Sequence, residues 1–234
     1  MSGLPGATRP LGRQRANEIA AAFASERTFA GRWAWHYSRA KLATDPLYPG
    51  VCDALRGSRA PLLDLGCGLG LLAHALRADG IDLAYSGVDN DAGKIRRAQA
   101  AAAVAALPDA GFECLDLVAA LPAHRGSVAI LDMLQYIDPQ AQSRLLAGAI
   151  AMLTPGALLV IRTGLEDGSP RARVTHAVDA LGNRLGWMNT GPKRYPHAAE
   201  LQATFDAAGL QSQFTALYGN TPFNNWRIVA RRPD

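Results

Sequence analysis

The chain has 234 residues, of which 49% are hydrophobic and 19% charged, so it can bury the core of one domain and is not compositionally disordered. Its formal charge of +4 is concentrated in residues 1–60, which hold nine Lys and Arg against four Asp and Glu. The remainder is close to neutral, which argues against a nucleic-acid-binding surface spread over the whole domain.

The cysteines and the apolar runs exclude further classes of protein. Cys52, Cys67 and Cys114 are isolated and form no Cys-x-x-Cys pair, so neither a disulfide scaffold nor a metal site is expected. Free cysteines are typical of a reducing compartment. No apolar run approaches the roughly 20 residues of a membrane span, and the N-terminus lacks the apolar segment of a secretory signal. We therefore expect a soluble, cytoplasmic protein.

The first 60 residues predict helices. Residues 1–15 are rich in Gly, Pro and Arg, and a helical pattern follows from Ala16 to about Leu42. Four residues recur there at three- and four-residue spacing, which places them on one helix face: Phe29, Trp33, Tyr37 and Ala40. Thr44-Asp45-Pro46 and Pro49-Gly50 are expected to break the chain before a short helix near Val51–Arg56.

Beyond Arg59 the pattern alternates between strands and helices. Strands are predicted at 61–65, 82–88, 111–114, 128–131, 157–162, 211–217 and 226–230, and helices at 71–78, 92–107, 139–153, 174–185 and 197–208. This alternation predicts an α/β fold with a Rossmann-like, doubly wound sheet of seven strands. The sheet is expected to be mostly parallel with an antiparallel C-terminal strand pair, and the N-terminal helices are an addition to it.

A glycine cluster follows the first predicted strand, in the stretch LLDLGCGLGLLA at residues 62–73. Glycines between a strand and a helix allow positive φ and close approach of a ligand to the backbone. A phosphate-binding P-loop would need Gly-Lys-Ser/Thr, which is missing here. The dinucleotide motif would need Gly or Ala at position 71, where Leu71 stands. An ordinary tight strand–helix turn remains the alternative for the cluster taken alone.

Asp-x-Gly-x-Gly-x-Gly resembles the first motif of the class I S-adenosylmethionine-dependent methyltransferases. The carboxylate of Asp64 suits this cofactor, which is cationic around its sulfonium and carries an amino group. Further acidic residues follow the next strands in chain order. Asp89 in GVDND suits the ribose hydroxyls; by resemblance, Asp116 accepts the adenine amino group beside Leu117, and Asp132 in ILDMLQYI matches the family's fourth motif.

The resemblance covers residues 60–164 and implies S-adenosyl-L-methionine as the cofactor. We predict a methyltransferase domain at 59–234, an N-terminal helical cap at 1–58 and a substrate-side insertion at 165–208; the resemblance does not fix residues 1–59 and 165–208, where such proteins usually build their substrate pockets. The cofactor-binding residues that we predict are Asp64, Gly66, Cys67, Gly68, Gly70, Asp89, Asn90, Asp116, Leu117, Asp132, Met133, Tyr37 and Lys41.

The N-terminal helix has two interpretations. In resembling enzymes such a helix folds over the cofactor, so Tyr37, Arg39 and Lys41 are candidates to contact the cofactor's carboxylate or an acidic acceptor. Alternatively, Phe29, Trp33 and Tyr37 attach the helix to the sheet and its charges face solvent. The sequence does not separate these two.

The expected activity is methyl transfer to an oxygen or carbon of a small, hydrophobic or carrier-bound acceptor. Asp132 is not followed by the Pro-Pro-Tyr/Phe sequence of enzymes that methylate exocyclic base amines. Candidate catalytic residues are Tyr136, after the fourth motif, and His36. Aromatic residues that would suit an apolar or aromatic acceptor are Trp33, Trp35, Tyr136, Trp187, Phe223 and Trp226.

Two alternatives remain at this point. The basic N-terminal quarter allows methylation of RNA or protein, and a non-catalytic methyltransferase-like partner subunit is the other possibility. We favour a small-molecule or lipid-like acceptor without a nucleic-acid partner, in a monomer or homodimer.

Overall fold

A computed structural model describes residues 9–24, 29–175, 177, 191–219 and 221–234. Its helices are α1 (Arg13–Ala21), α2 (Phe29–Thr44), α3 (Leu47–Leu55), α4 (Leu71–Ala78), α5 (Ala92–Val104), α6 (Pro139–Met152) and α7 (Ala198–Ala207). Its strands are β1 (Leu62–Leu65), β2 (Tyr85–Asp89), β3 (Ala110–Cys114), β4 (Ser127–Leu131), β5 (Leu158–Gly164), β6 (Gln211–Ala216) and β7 (Asn225–Arg231). Residues 170–175 are also helical. Trp187 and most of the predicted helix at 174–185 lie outside the described residues.

The seven strands form one sheet in the order β3-β2-β1-β4-β5-β7-β6. The first five strands pair in parallel, and β7 lies antiparallel to both β5 and β6. The predicted doubly wound sheet with its antiparallel C-terminal pair is therefore confirmed. The strand order reverses between β1 and β4, which is where doubly wound sheets bind their ligands, at the carboxyl ends of the strands.

Helices cover both faces of the sheet, because the central strands are apolar on both sides. All four residues of β1 are buried, as parallel strands between two helical layers require. One core cluster joins the sheet to α1, α3 and α4, and a second joins it to α6 and α7. The N-terminal helices thus share a core with the predicted methyltransferase domain. The boundary at residue 58 stays a prediction.

Three sequence predictions on element boundaries were wrong. The helix expected at 16–42 is divided into α1 and α2. Pro49-Gly50 does not break the chain but lies inside α3, since proline is tolerated in a first helical turn, where its missing N–H has no intrahelical partner. The strand expected from Asp82 begins at Tyr85, because the Arg77 guanidinium donates to the carbonyls of Ile81 and Leu83 at 2.7 Å each.

His74 lies buried on α4, where its ring packs 5.2 Å from that of Phe23, just beyond α1. Its Nε2 is buried and has no hydrogen-bond partner in the part of the chain that the structure describes. Burial disfavours the charged imidazolium and lowers the pKa of His74 from 6.5 to about 4. The contact between the N-terminal helices and α4 therefore needs a neutral histidine.

We expect His74 to make the protein less stable in acid. Between pH 6.5 and about 4 the unfolded chain binds a proton at this side chain and the folded chain does not. The free energy of unfolding therefore falls as the pH decreases through this window, by a total of about 3 kcal/mol. Urea unfolding of the wild type and of His74→Leu between pH 8 and pH 4 measures the difference. Parallel losses of stability in the two proteins would contradict this assignment.

Candidate functional site

The carboxyl ends of the four adjacent parallel strands carry the predicted motifs. The glycine loop follows β1, Asp89 ends β2, Asp116 follows β3, and Asp132 follows β4. Because these strands are parallel neighbours in the sheet, all four features lie along the same edge. The topology thus brings together residues that are up to 68 positions apart, from Asp64 to Asp132.

The glycine loop is held against the end of β2. The N–H groups of Gly66 and Cys67 donate to the Val88 carbonyl at 2.8 and 2.9 Å, and the Gly68 N–H donates to Asp89 Oδ2 at 3.0 Å. Gly68 has φ of +56°, and a Cβ added there would meet no atom within 4 Å. The backbone at Gly68 therefore faces open space beside a carboxylate.

Gly70 ends the loop and begins α4. Its φ is +71°, and an added Cβ would overlap the ring of Phe112 from β3. A side chain at this position would be strained by both backbone and packing. Glycine is therefore required here for the loop to lie close to the sheet.

Asp89 is partly exposed, and both of its oxygens accept one backbone hydrogen bond. Oδ2 accepts from Gly68 and Oδ1 accepts from the Asp91 N–H at 2.9 Å. Each carboxylate oxygen has capacity for a second donor. These bonds fix the orientation of the carboxylate and leave it able to accept from a pair of hydroxyl groups.

Asp64 lies buried at the end of β1, beneath the glycine loop. The Tyr85 hydroxyl donates to its Oδ2 at 2.7 Å, whereas Oδ1 has no partner among the described residues. Burial raises the pKa of Asp64 to about 7; the Tyr85 hydrogen bond opposes this shift and the Asp89 charge adds to it. A buried carboxyl group with an unpartnered oxygen is stabilised by a nearby donor or cation.

These features fit the cofactor that the motifs predict. The open backbone at Gly68 provides a cradle that a Cβ would fill. Asp89 offers an oriented pair of acceptors, and Asp64 offers a carboxyl group in need of a partner. Pairs of hydroxyl groups and a cationic amine are the groups that such acceptors bind.

The remaining predicted cofactor-binding residues after β2 and β3 are more exposed than Asp64. Asn90 is exposed and its carbonyl faces the Cys114 thiol at 3.7 Å. Asp116 is exposed and accepts from the Val118 N–H at 2.9 Å, and the side chain of Leu117 is half-buried against the second core cluster. Their contacts with an adenine ring stay predictions.

Four charged side chains form a ring of ion pairs near the carboxyl ends of β4 and β5. The Lys41 ammonium contacts Asp45 at 2.6 Å and Asp132 at 2.9 Å. Arg162 of β5 pairs with both of the same carboxylates, with Asp132 at short distance and with Asp45 at 3.2 Å. We call these four residues the charge ring. It ties the last turn of α2 to the ends of β4 and β5.

The charge ring is ionised and neutral overall. Burial alone would raise the pKa of Asp132, but Arg162 and Lys41 outweigh it and hold that pKa well below its usual range. Burial likewise opposes the charged form of Lys41, and the two carboxylates raise its pKa despite this. The two predicted cofactor-binding residues Lys41 and Asp132 therefore lie together, and each neutralises the other.

The exposure of Trp33 and Tyr37 contradicts the interpretation in which these aromatic residues attach α2 to the sheet. Trp33 and Tyr37 are 48% and 41% exposed, whereas Ala34, Ser38 and Leu42 are buried. That interpretation was therefore wrong for both aromatic side chains. The helix packs through Ala34, Leu42 and the partly buried Trp35, whereas Trp33 and Tyr37 face outward.

The two candidate catalytic residues occupy different surroundings. Tyr136 is half-buried in a 3₁₀ turn, Leu134–Tyr136, directly after the end of β4. Met133, just before that turn, packs against Gly66 of the glycine loop. His36 is exposed and its ring contacts Trp35 at 4.5 Å, away from the charge ring. The structure thus brings Tyr136, but not His36, to the strand edge.

Sequence reasoning missed two members of the charge ring, Asp45 and Arg162. Asp45 stands in a predicted chain break and is 117 positions from Arg162. A signal was present in the strand ALLVIRTG, where Arg162 is a lone charge in a run that is otherwise apolar or small. Since charged residues are almost never fully buried unless paired, such an arginine predicts acidic partners.

None of the described helices is long and apolar enough to cross a membrane. Across the described ranges, no group of three or more His, Cys, Asp or Glu side chains is arranged to hold a metal ion.

Comparison with known proteins agrees with this geometry. The family model for a methyltransferase domain matches residues 62–156, from β1 to just before β5. A comparison with curated proteins finds no match. The predicted resemblance to class I S-adenosylmethionine-dependent methyltransferases is thus confirmed for this domain, and S-adenosyl-L-methionine is supported as its cofactor.

Solved structures share the fold at low sequence identity. An O-methyltransferase family protein from Burkholderia thailandensis is 20% identical, with a TM-score of 0.67 over 94% of this chain and 68% of that chain. Magnesium protoporphyrin IX methyltransferase (ChlM) from Synechocystis PCC 6803 with bound SAH is 17% identical, with a TM-score of 0.61 over 94% and 93%. The pyocyanin biosynthetic protein PhzM is 16% identical, with a TM-score of 0.63 over 92% and 61%.

Proposed function

We propose that this methyltransferase domain uses S-adenosyl-L-methionine to methylate an oxygen or carbon atom of a small acceptor. The observation that carries the proposal is the pairing of the Gly68 N–H with Asp89 at the carboxyl ends of β1 and β2, beside open space. It is supported by the family model at 62–156 and by the likeness to the O-methyltransferase family protein, ChlM and PhzM.

In this proposal each part of the edge has one task. Asp89 accepts the ribose hydroxyls, Asp64 faces the amino group, and the loop backbone at Gly68 lies against the nucleoside. When bound, the cofactor supplies an electrophilic methyl carbon; the acceptor atom bonds to it as the carbon–sulfur bond breaks, and the electron pair stays on sulfur. The acceptor's proton passes to water or to a base, and Tyr136 is the side chain best placed to contact the acceptor.

Paired charges bear on the choice between a small acceptor and RNA. At the strand edge, Lys41 and Arg162 are paired with Asp45 and Asp132. In the N-terminal quarter, Arg15 and Arg56 both contact Asp79, at 3.8 and 2.5 Å. Basic residues that are already paired have less charge to offer to phosphates, which favours a small molecule over RNA.

The proposal predicts tight cofactor binding and methyl transfer to small acceptors but not to RNA. Titration calorimetry with S-adenosyl-L-methionine and S-adenosylhomocysteine measures the first. Transfer of a radiolabelled methyl group to phenols, carboxylic acids, carbon acids and total RNA measures the second. Absence of a binding heat at millimolar cofactor would overturn the proposal, and label found mainly in RNA would overturn the choice of acceptor.

A further inference from the structure

Trp33 and Tyr37 form a stacked aromatic pair on the surface of α2. Their ring centroids are 5.0 Å apart and their planes are 14° from parallel, although the side chains are 48% and 41% exposed. The other exposed large hydrophobic residues in the described ranges are Val104, Val118 and Val174. Two exposed, stacked rings therefore form an apolar surface that the fold itself does not use.

The pair lies on the same helix as Lys41 of the charge ring. Trp33, Tyr37 and Lys41 are spaced by four residues, so they form one stripe with a rise of about 6 Å per step. The residue that follows each of them in the sequence is buried; these three buried residues are Ala34, Ser38 and Leu42. The stripe thus follows one border of the buried face and ends at Lys41, which contacts Asp132 at the strand edge.

Tyr37 is the member of the pair that lies one helical turn from Lys41. Trp35 and Arg39, by contrast, contact each other on the other border of α2, at 5.3 Å.

We propose that the Trp33–Tyr37 pair binds the acceptor, and that the acceptor is a planar aromatic molecule without net charge. This inference rests on the proposed function and names its substrate class. Tyr37 is the ring of the pair that lies one helical turn before Lys41, whose ammonium contacts Asp132 at the strand edge. Because ring faces attract other rings in offset stacks, planarity is the property that this surface selects.

The charges of the edge determine the second property of the acceptor. Lys41 and Arg162 are fully matched by Asp45 and Asp132, so the charge ring has no surplus charge for an acidic acceptor. A cationic acceptor has no surplus carboxylate in the ring either. A neutral aromatic molecule with a hydroxyl group is both planar and uncharged. A flexible saturated lipid without charge is uncharged but not planar.

The test compares planar probes with a saturated analogue of the same skeleton. Binding of 2-naphthol, 8-hydroxyquinoline and decahydro-2-naphthol is measured by calorimetry with S-adenosylhomocysteine present, and methyl transfer by radiolabel. The aromatic probes are expected to bind at least tenfold more tightly than the saturated alcohol. Equal affinity for the saturated alcohol, or no binding of either aromatic probe at millimolar concentration, overturns the inference.

Variants assign the selectivity to the pair. Trp33→Leu and Tyr37→Leu are each expected to raise KM for an aromatic acceptor by about tenfold, because each removes one stacked ring. For Trp33→Leu, cofactor affinity is expected to change less than twofold. Tyr37→Phe keeps the stacked ring, so its KM is expected to lie closer to the wild-type value than that of Tyr37→Leu. Val104→Ser changes an equally exposed hydrophobic residue on α5 and serves as the matched control.

Two results separate this inference from its alternatives. Cofactor binding that persists while both leucine variants keep wild-type KM overturns the aromatic site and leaves the proposed function standing. If the wild type does not bind the cofactor, the proposed function is overturned instead. A dimer in analytical ultracentrifugation that Trp33→Leu dissociates would assign the pair to contact between two copies of the chain and overturn the inference.

Discussion

Replacing Arg162 by methionine is expected to lower the free energy of unfolding by about 3–5 kcal/mol, as for other buried ion pairs that lose one partner. Arg162 is 6% exposed and pairs with both carboxylates of the charge ring. Methionine fills a similar length without charge, so Asp45 and Asp132 are left with Lys41 alone. The ring then carries an uncompensated buried negative charge.

The matched variants separate charge from packing. Arg231→Met removes an exposed arginine from neighbouring β7 and is expected to change stability by less than about 0.5 kcal/mol. Arg162→Met combined with Asp132→Asn restores neutrality and is expected to recover part of the loss, since replacing both partners of a buried pair costs far less than removing one. Urea unfolding at neutral pH measures all four proteins. Equal losses in the single and double variants would assign the effect to packing.

The pH dependence gives a second readout of the charge ring. The folded-state pKa of Asp132 lies below its ordinary value, so in acid the unfolded chain binds a proton that the folded chain does not. The contribution of the ring is therefore complete above the ordinary aspartate pKa of about 3.9 and is lost as the pH falls below it. The stabilities of the wild type and of Arg162→Met are expected to converge as the pH decreases toward 3.

The cofactor half of the site could be predicted from sequence because its signals are local. Asp64 and the three glycines lie within seven positions, and the strand before them is a short apolar run. The side to which Asp89 and Asp132 project follows from the topology, since parallel strands end at one edge. Local spacing and a topological rule together are therefore sufficient for this half.

The half of the strand edge that holds the charge ring could not be predicted in the same way, since it depends on packing between distant segments. Asp45 and Arg162 are joined across 117 positions, and no local pattern announces that contact. Helical spacing placed Trp33 and Tyr37 on one face but left open whether that face is buried. The small residues Ala34 and Ser38 decide this, because they allow α2 to approach its neighbours closely and leave the larger rings outside.

Replacing Asp89 by alanine is expected to weaken cofactor binding by about 100-fold. Two hydrogen bonds from hydroxyl groups to a carboxylate contribute roughly 1.5 kcal/mol each, and their combined loss corresponds to two orders of magnitude in Kd. Asp89→Asn keeps the size of the side chain and one acceptor oxygen, so a smaller loss of about tenfold is expected. Titration calorimetry with S-adenosyl-L-methionine measures both variants.

A matched control distinguishes ligand contact from general electrostatics and from loss of the loop. Asp82 precedes the same strand at its opposite end, with its side chain 78% exposed and 3.8 Å from Arg77. Asp82→Ala removes the same charge and is expected to leave Kd unchanged. Because Asp89 also accepts from the Gly68 N–H, urea unfolding of Asp89→Asn reports any change in the loop itself. Wild-type affinity in Asp89→Ala would show that this carboxylate only holds the glycine loop, and the cofactor would then have to bind without it.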